Sequence, residues 1–136
     1  MEDIRWQQRF ENWTKAHTHY EELCQKDSLN WIEQTALIKV FEILFELSWK
    51  TLKDYLQEEG LTPRSPRETI KQAYQTGLVK EGETWLDALE KRNLLTHRYD
   101  EEFANYVTGI LLNHYPPLFR DLKKELASRL PGEEKP

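Results

Sequence analysis

Nine consecutive residues, Lys91-Arg92-Asn93-Leu94-Leu95-Thr96-His97-Arg98-Tyr99, bring cationic, titratable and polar groups together where an amphipathic helix is finishing. A neutral histidine beside permanent cations suits proton transfer near a phosphate, because positive neighbours lower its pKa toward the base form. An arginine placed like Arg92 can stabilise the extra negative charge of a pentavalent phosphoryl transition state through paired hydrogen bonds. On a continuous helix Asn93 and His97 stand one turn apart, so the amide can orient the imidazole and fix its tautomer. Arg92 precedes His97 by five positions, about 140° round an ideal helix; the guanidinium's length closes part of that gap, and two such segments facing each other across a symmetric dimer close it fully. No metal site is visible, so the nucleophile has to come from the substrate, and a ribose 2′-hydroxyl is such a group, which points to RNA rather than DNA. A plainer account fits the same residues: Arg and His at a helix C-terminus are favoured by the helix dipole alone.

Other site types are absent from the sequence. It has no glycine-rich phosphate loop, no cysteine pair for zinc, no serine in a nucleophile elbow and no pattern that calls for a cofactor. His17 and His19 are two apart and so point to different helix faces, which is poor ligand spacing. His114 falls beside an apolar stripe just before a double proline, where a buried, hydrogen-bonded imidazole is expected.

Five helical segments are expected to position these groups. The first, about Ile4 to Cys24, repeats Trp6, Phe10, Trp13, His17 and Tyr20 at spacings of four and three. The second, about Trp31 to Glu58, carries Leu37, Val40, Phe41, Leu44, Leu47, Leu52 and Tyr55 on one stripe, with Ile43, Phe45 and Trp49 beside it. An apolar face that wide marks the central helix, or one that also meets a second subunit, and Gly60 stands where a left-handed C-cap belongs. Within it, Glu46 and Lys50 read as an intrahelical ion pair at the stripe's edge. Ser65-Pro66-Arg67-Glu68 is a strong helix start, and Gly77 ends that short helix. Thr84 and Asp87 suggest a second capping box, opening the helix that runs into the nine-residue segment. Asp100 can cap the last segment, along which Phe103, Val107, Ile110, Leu111, Leu118, Leu122 and Leu126 mark an apolar face. Pro116-Pro117 must kink or break it, since both amide donors are missing. With no period-two alternation and no repeat, the expected architecture is an all-α, antiparallel up-and-down bundle: one domain over residues 1–130, then a disordered tail over 131–136.

Composition agrees. Of 136 residues 38% are hydrophobic and 32% charged, and five Trp, six Tyr and five Phe supply a core despite a mean hydropathy of −0.81. The lone Cys24 cannot pair within the chain, which excludes a disulfide scaffold and makes the reducing cytoplasm the expected location. No signal peptide or membrane span is apparent. A net charge of −5 argues against a generic nucleic-acid coat, so any RNA affinity must come from a local cluster of Lys91, Arg92 and Arg98, joined by Lys50 and Lys53.

At Arg92, Asn93, His97 and Tyr99 the sequence resembles the HEPN domains, in particular the branch that accompanies minimal nucleotidyltransferases, whose pattern is Arg, a polar residue, three variable residues, His, one residue, Tyr. The stretches FEILFELSWKTLKDYLQEEG, SPRETIKQAYQTGLV and WLDALEKRNLLTHRYDEE are similar to that branch's other blocks in the same order, so the resemblance spans about residues 4–126. It implies a helical bundle that forms a homodimer with the Arg and His motif in a cleft near the interface, and a separately encoded minimal nucleotidyltransferase as partner. In toxin–antitoxin versions the HEPN protein is a metal-independent endoribonuclease, silenced when the nucleotidyltransferase adds AMP to the motif tyrosine. Carried over, Arg92 and His97 are the catalytic pair, Asn93 supports them, Tyr99 is the AMP acceptor, and Lys91 and Arg98 contact RNA phosphates. An anionic adduct beside Arg92 and His97 would block the cleft and occupy the cation.

Two other readings stay open from sequence. One is a non-catalytic subunit that binds a nucleotide or other substrate for the partner's transferase reaction, with Arg92 and His97 holding phosphate and Tyr99 an aromatic wall. The other is a structural dimer whose motif only caps and packs.

Overall fold

The computed structural model describes residues 4–98 and 100–131. Among them are six helices and no strand: α1 (Arg5–Cys24), α2 (Trp31–Glu58), α3 (Pro66–Gln75), α4 (Gly82–Leu95), α5 (Glu101–Asn113) and α6 (Pro116–Ser128). The expected fifth segment is therefore two helices. Pro116 and Pro117 occupy the first positions of α6, where a missing N–H leaves no bond unmade, and α5 ends three residues earlier. The expected disordered tail lies, apart from Pro131, outside the described residues. No helix among the described residues is long and apolar enough to cross a membrane.

α1 and α2 pack antiparallel, as their pairings show: Trp6 meets Tyr55, Arg9 binds Asp54 at 2.8 Å, and the Trp13 indole N–H donates to Ser48 Oγ at 2.7 Å. α6 runs back along both, with Phe119 against Tyr20 and Phe41 at one end and Arg129 bonded to the Tyr55 hydroxyl at the other. The centre is aromatic: Phe41 stacks on Tyr115 at 5.7 Å, and Trp85 meets Phe119 edge-on at 5.5 Å. Each such fully buried ring contributes roughly 1.5–3 kcal/mol by leaving water.

α2 is the central helix, touching α1, α3, α4 and α5. Its buried stripe is shifted from the expected one: Leu37, Phe41, Leu44, Phe45, Leu52 and Leu56 are buried, Val40, Leu47 and Tyr55 are half-buried, and Ile43 faces outward. Two polar residues within the stripe close their own bonds. Ser48 Oγ donates to the Leu44 carbonyl while accepting from Trp13, and Thr51 Oγ1 donates to the Leu47 carbonyl.

Capping follows the sequence at three helices and departs from it at a fourth. Ser65 and Asp100 cap α3 and α5 through the amides of Glu68 and Phe103, and Gly60, at φ +95°, ends α2 with the Leu61 amide reaching back to the Leu56 carbonyl. The expected Thr84–Asp87 box does not form. α4 begins at Gly82 with Glu81 at the N-cap and no side-chain cap, and Gly82 lies against the Tyr74 ring so closely that a Cβ there would come within 3.1 Å of it. Asp87 is thereby released for another use.

Candidate functional site

α4 ends at Leu95, so the nine-residue segment is split between a helix and a turn. Arg92 lies in the last turn of α4 and faces α2. Its Nη2 stands 3.3 Å from Glu46 Oε1, its Nη1 donates to Asn93 Oδ1 at 3.1 Å, and its guanidinium lies over the Phe45 ring at 5.5 Å. The Nε of Arg92 is buried with no hydrogen-bond partner. Asn93 thus directs its carbonyl oxygen to Arg92.

His97 is past the helix end, and the one-turn spacing with Asn93 assumed from sequence does not hold there. Its imidazole is exposed, and its position is set by the backbone: the amides of His97 and Arg98 both donate to the Leu94 carbonyl at 3.0 Å. Arg98 is turned to the next helix, donating to both oxygens of Asp100 at 3.2 Å with its guanidinium over Phe103 at 4.3 Å. The hydrogen bonds from Arg98 and from the Phe103 amide hold the Asp100 carboxyl below its ordinary pKa. Tyr99 lies outside the described residues.

The cations expected to cluster converge only in part. Lys50 joins Arg92 on Glu46, at 3.6 Å, and the Trp49 indole N–H donates to the same carboxylate at 3.1 Å, while Lys53 lies over the Trp49 ring at 5.9 Å. Lys91 turns away. It is only 7% exposed, and its ammonium bonds Asp87 at 2.8 Å in the wall of a cavity of about 500 Å³ lined also by Tyr106, His114 and Tyr115. The Tyr115 hydroxyl donates to the second Asp87 oxygen at 2.6 Å. Burial works to raise the Asp87 pKa, but the bonds from Lys91 and Tyr115 outweigh it and hold the carboxyl below its ordinary range. Burial likewise opposes the Lys91 ammonium, and Asp87 more than compensates.

The other histidines divide. His17 is buried, stacked on Trp13 at 4.9 Å and facing Glu21 at 3.2 Å, and His19 is exposed beside Glu22. His114 is exposed at the C-cap of α5 on the rim of the Lys91 cavity, not buried as expected, because the helix break lifts it off the apolar stripe and gives its neighbour Tyr115 the core position.

Sequence reasoning missed Glu46 as the partner of Arg92. Its spacing to Lys50 was visible, but the third member comes from a helix about forty residues away. Asp87 has the spacing of a cap, and only the tertiary position of Tyr115 reveals it as a junction.

The helical bundle agrees with the fold that the resemblance to the HEPN domains implies. The chain belongs to the family described as nucleotidyltransferase substrate binding protein like, whose model matches residues 8–128. It is 29% identical over 72 residues to a Haemophilus influenzae protein named Probable ribonuclease HepT, a match covering 49% of this chain and 49% of that protein. The chain thus spans about half the length of the curated relative it matches. A crystal structure of a Thermus thermophilus protein superposes with a TM-score of 0.76 at 31% identity, covering 88% of this chain and 99% of that one.

Proposed function

We propose that this chain is the HEPN subunit of a two-component, toxin–antitoxin type nucleotidyltransferase/HEPN system, a metal-independent endoribonuclease of the cytoplasm that its partner silences by AMP transfer to Tyr99. The observation that carries this reading is the pairing of a braced Arg92 with an exposed His97 in the family's spacing. The name of the Haemophilus influenzae relative supports it.

In the proposed reaction the ribose 2′-hydroxyl loses its proton to an imidazole, its oxygen forms a bond to phosphorus, and the bond from phosphorus to the 5′-oxygen breaks as that oxygen takes up a proton from an imidazolium. Arg92 neutralises the charge gathering on the non-bridging oxygens, Asn93 holds the guanidinium, and Arg98 lies on the path of the flanking strand. A homodimer supplies the second His97. Its face is the outward stripe of α2, where Ile32 and Ile43 are 60% and 44% exposed and helical spacing aligns them with Glu46 and Lys50.

RNA cleavage by the purified chain in EDTA, with His97→Ala prepared identically, tests the reading. Cleavage that vanishes in the variant supports it. Failure of both to cut a broad RNA panel, tRNA included, favours instead a non-catalytic subunit that binds nucleotide or substrate for the transferase, a reading that the words substrate binding in the family's description support.

A further inference from the structure

Glu46 is an acid among groups that would otherwise attract an anion. Its carboxylate receives the Trp49 indole N–H at 3.1 Å and faces the Arg92 guanidinium at 3.3 Å and the Lys50 ammonium at 3.6 Å. We propose that Arg92, Lys50 and the Trp49 N–H form a receptor for one phosphate group, and that Glu46 occupies it in the free protein as an internal, displaceable anion. The proposal deepens the ribonuclease reading by adding Lys50, Trp49 and Glu46 to the phosphate subsite of the same site.

Three observations carry it. First, the donor set is that of a phosphate site: a planar guanidinium, an ammonium and a neutral N–H directed at one oxyanion. Second, the occupant is loosely held. Charge-assisted N–H···O bonds run to about 2.7–2.9 Å, and the chain achieves this elsewhere, at 2.8 Å in Arg9–Asp54, Lys91–Asp87 and Arg120–Glu21. Both cation contacts of Glu46 are longer. Third, the guanidinium is unsaturated: Arg92 meets Glu46 through Nη2 only, and its buried Nε has no partner. A paired, side-on grip on an oxyanion uses Nε and Nη2 together. A phosphate that draws the guanidinium into that grip satisfies the orphaned donor, which Glu46 in its observed position does not.

The side chains of Glu46 and Lys50 are 40% and 43% exposed, so Glu46 can swing into water without unfolding anything. Displacement then exchanges a weak, solvent-screened pair for a stronger one. Glu46 cancels one of the two positive charges of the free site and so weakens the hold on stray anions, which suits an acidic chain that must bind phosphate at one place only.

The test uses the full chain carrying His97→Ala, so that RNA stays intact, with and without Glu46→Gln. Gln keeps the size and the acceptor for Trp49 while removing the charge. Fluorescence anisotropy of a labelled single-stranded RNA should show about tenfold tighter binding in the Gln variant at low salt, a gain that shrinks as salt screens the charges. Adding Lys50→Met should abolish most of the gain. ATP, titrated in parallel by calorimetry, separates the two sources of the phosphate: a gain for RNA assigns an RNA backbone phosphate, and a gain for ATP alone assigns the receptor to a nucleotide. Unchanged or weaker binding of both ligands by the Gln variant would overturn the proposal and leave Glu46 a brace for Arg92. Because the readout is binding, it stands whether or not the wild-type chain cuts RNA.

Discussion

Asp87 offers the sharpest quantitative test of how α4 is held. Its two oxygens take the Lys91 ammonium at 2.8 Å and the Tyr115 hydroxyl at 2.6 Å, and both partners are buried, Tyr115 completely. Asp87→Ala orphans both donors at once. Leaving a buried donor unsatisfied costs about 1–3 kcal/mol, more when it is charged. Two features reduce the sum: Glu90 stands 3.7 Å from Lys91 and can inherit part of its charge, and the Asp87 side chain is 44% exposed, so water can enter the space it leaves. The expected loss is about 3 kcal/mol, or roughly 10 °C in Tm for a chain of this size. Urea denaturation followed by far-UV circular dichroism measures it. Adding Lys91→Met and Tyr115→Phe removes the orphans themselves and should recover more than half of the loss. A single variant within about 0.5 kcal/mol of wild type, or a triple variant no more stable than the single, refutes the account. The acid limb gives an independent check. The folded Asp87 pKa lies below the unfolded value, so its contribution is present above about pH 4 and is lost as pH falls through the depressed folded value; Asp87→Ala should flatten that limb.

Four further outcomes are expected. His97→Ala should leave stability within about 0.5 kcal/mol, since the imidazole is exposed, while abolishing RNA cleavage; a comparable fall in both would assign His97 a structural role instead. Burial lowers the His17 pKa and outweighs the opposing pull of Glu21, with Lys123 and Arg120 adding to the lowering, so the unfolded chain takes up a proton near pH 6.5 that the folded chain refuses. Stability should therefore fall as pH drops from about 7 toward 5, and His17→Phe, which keeps a ring against Trp13, should remove that slope in pH-resolved melting. Gly60→Ala should cost about 1 kcal/mol in thermal denaturation through its backbone alone, since φ is +95° and nothing lies within 4 Å of the added methyl. Co-expression with an active nucleotidyltransferase partner should raise the intact mass by one AMP, and Tyr99→Phe should prevent it; an equal gain in the Phe variant would move the acceptor elsewhere.

Periodic apolar positions made α1 almost wholly legible, because every ring that repeats at three and four in Trp6, Phe10, Trp13, His17 and Tyr20 is buried. The α2 stripe was harder. Ser48 and Asp54 are polar by type and buried by partnership, with Trp13 and Arg9 respectively, and such partnerships are tertiary facts. Local capping rules succeed where no other partner draws the acceptor away from the amide, as at Ser65 and at Asp100, which serves Arg98 as well. They fail at Thr84–Asp87, where Tyr115, 28 residues away, and Lys91, one turn on, compete for the same carboxylate and win. The motif residues were legible as types and spacing. The division of labour was not, because assuming that α4 ran through His97 put Asn93 and His97 on one face, whereas the helix ends two residues before the histidine.

That early ending gives the two halves of the motif different mechanical characters. Arg92 rides on a helix with its guanidinium over the Phe45 ring of α2, so moving its backbone requires motion of α4 against α2, whichever anion the guanidinium holds. His97 hangs on a turn whose two amides share the single Leu94 carbonyl, and one local opening frees His97 and Arg98 together. Hydrogen exchange should accordingly find these two amides opening as a pair, ahead of Leu95. In the proposed reaction the arginine half would locate the phosphate once, while the histidine half, on an exposed turn, would reorient on the nanosecond-to-microsecond scale and accommodate a reacting oxygen whose position varies from one nucleotide to the next.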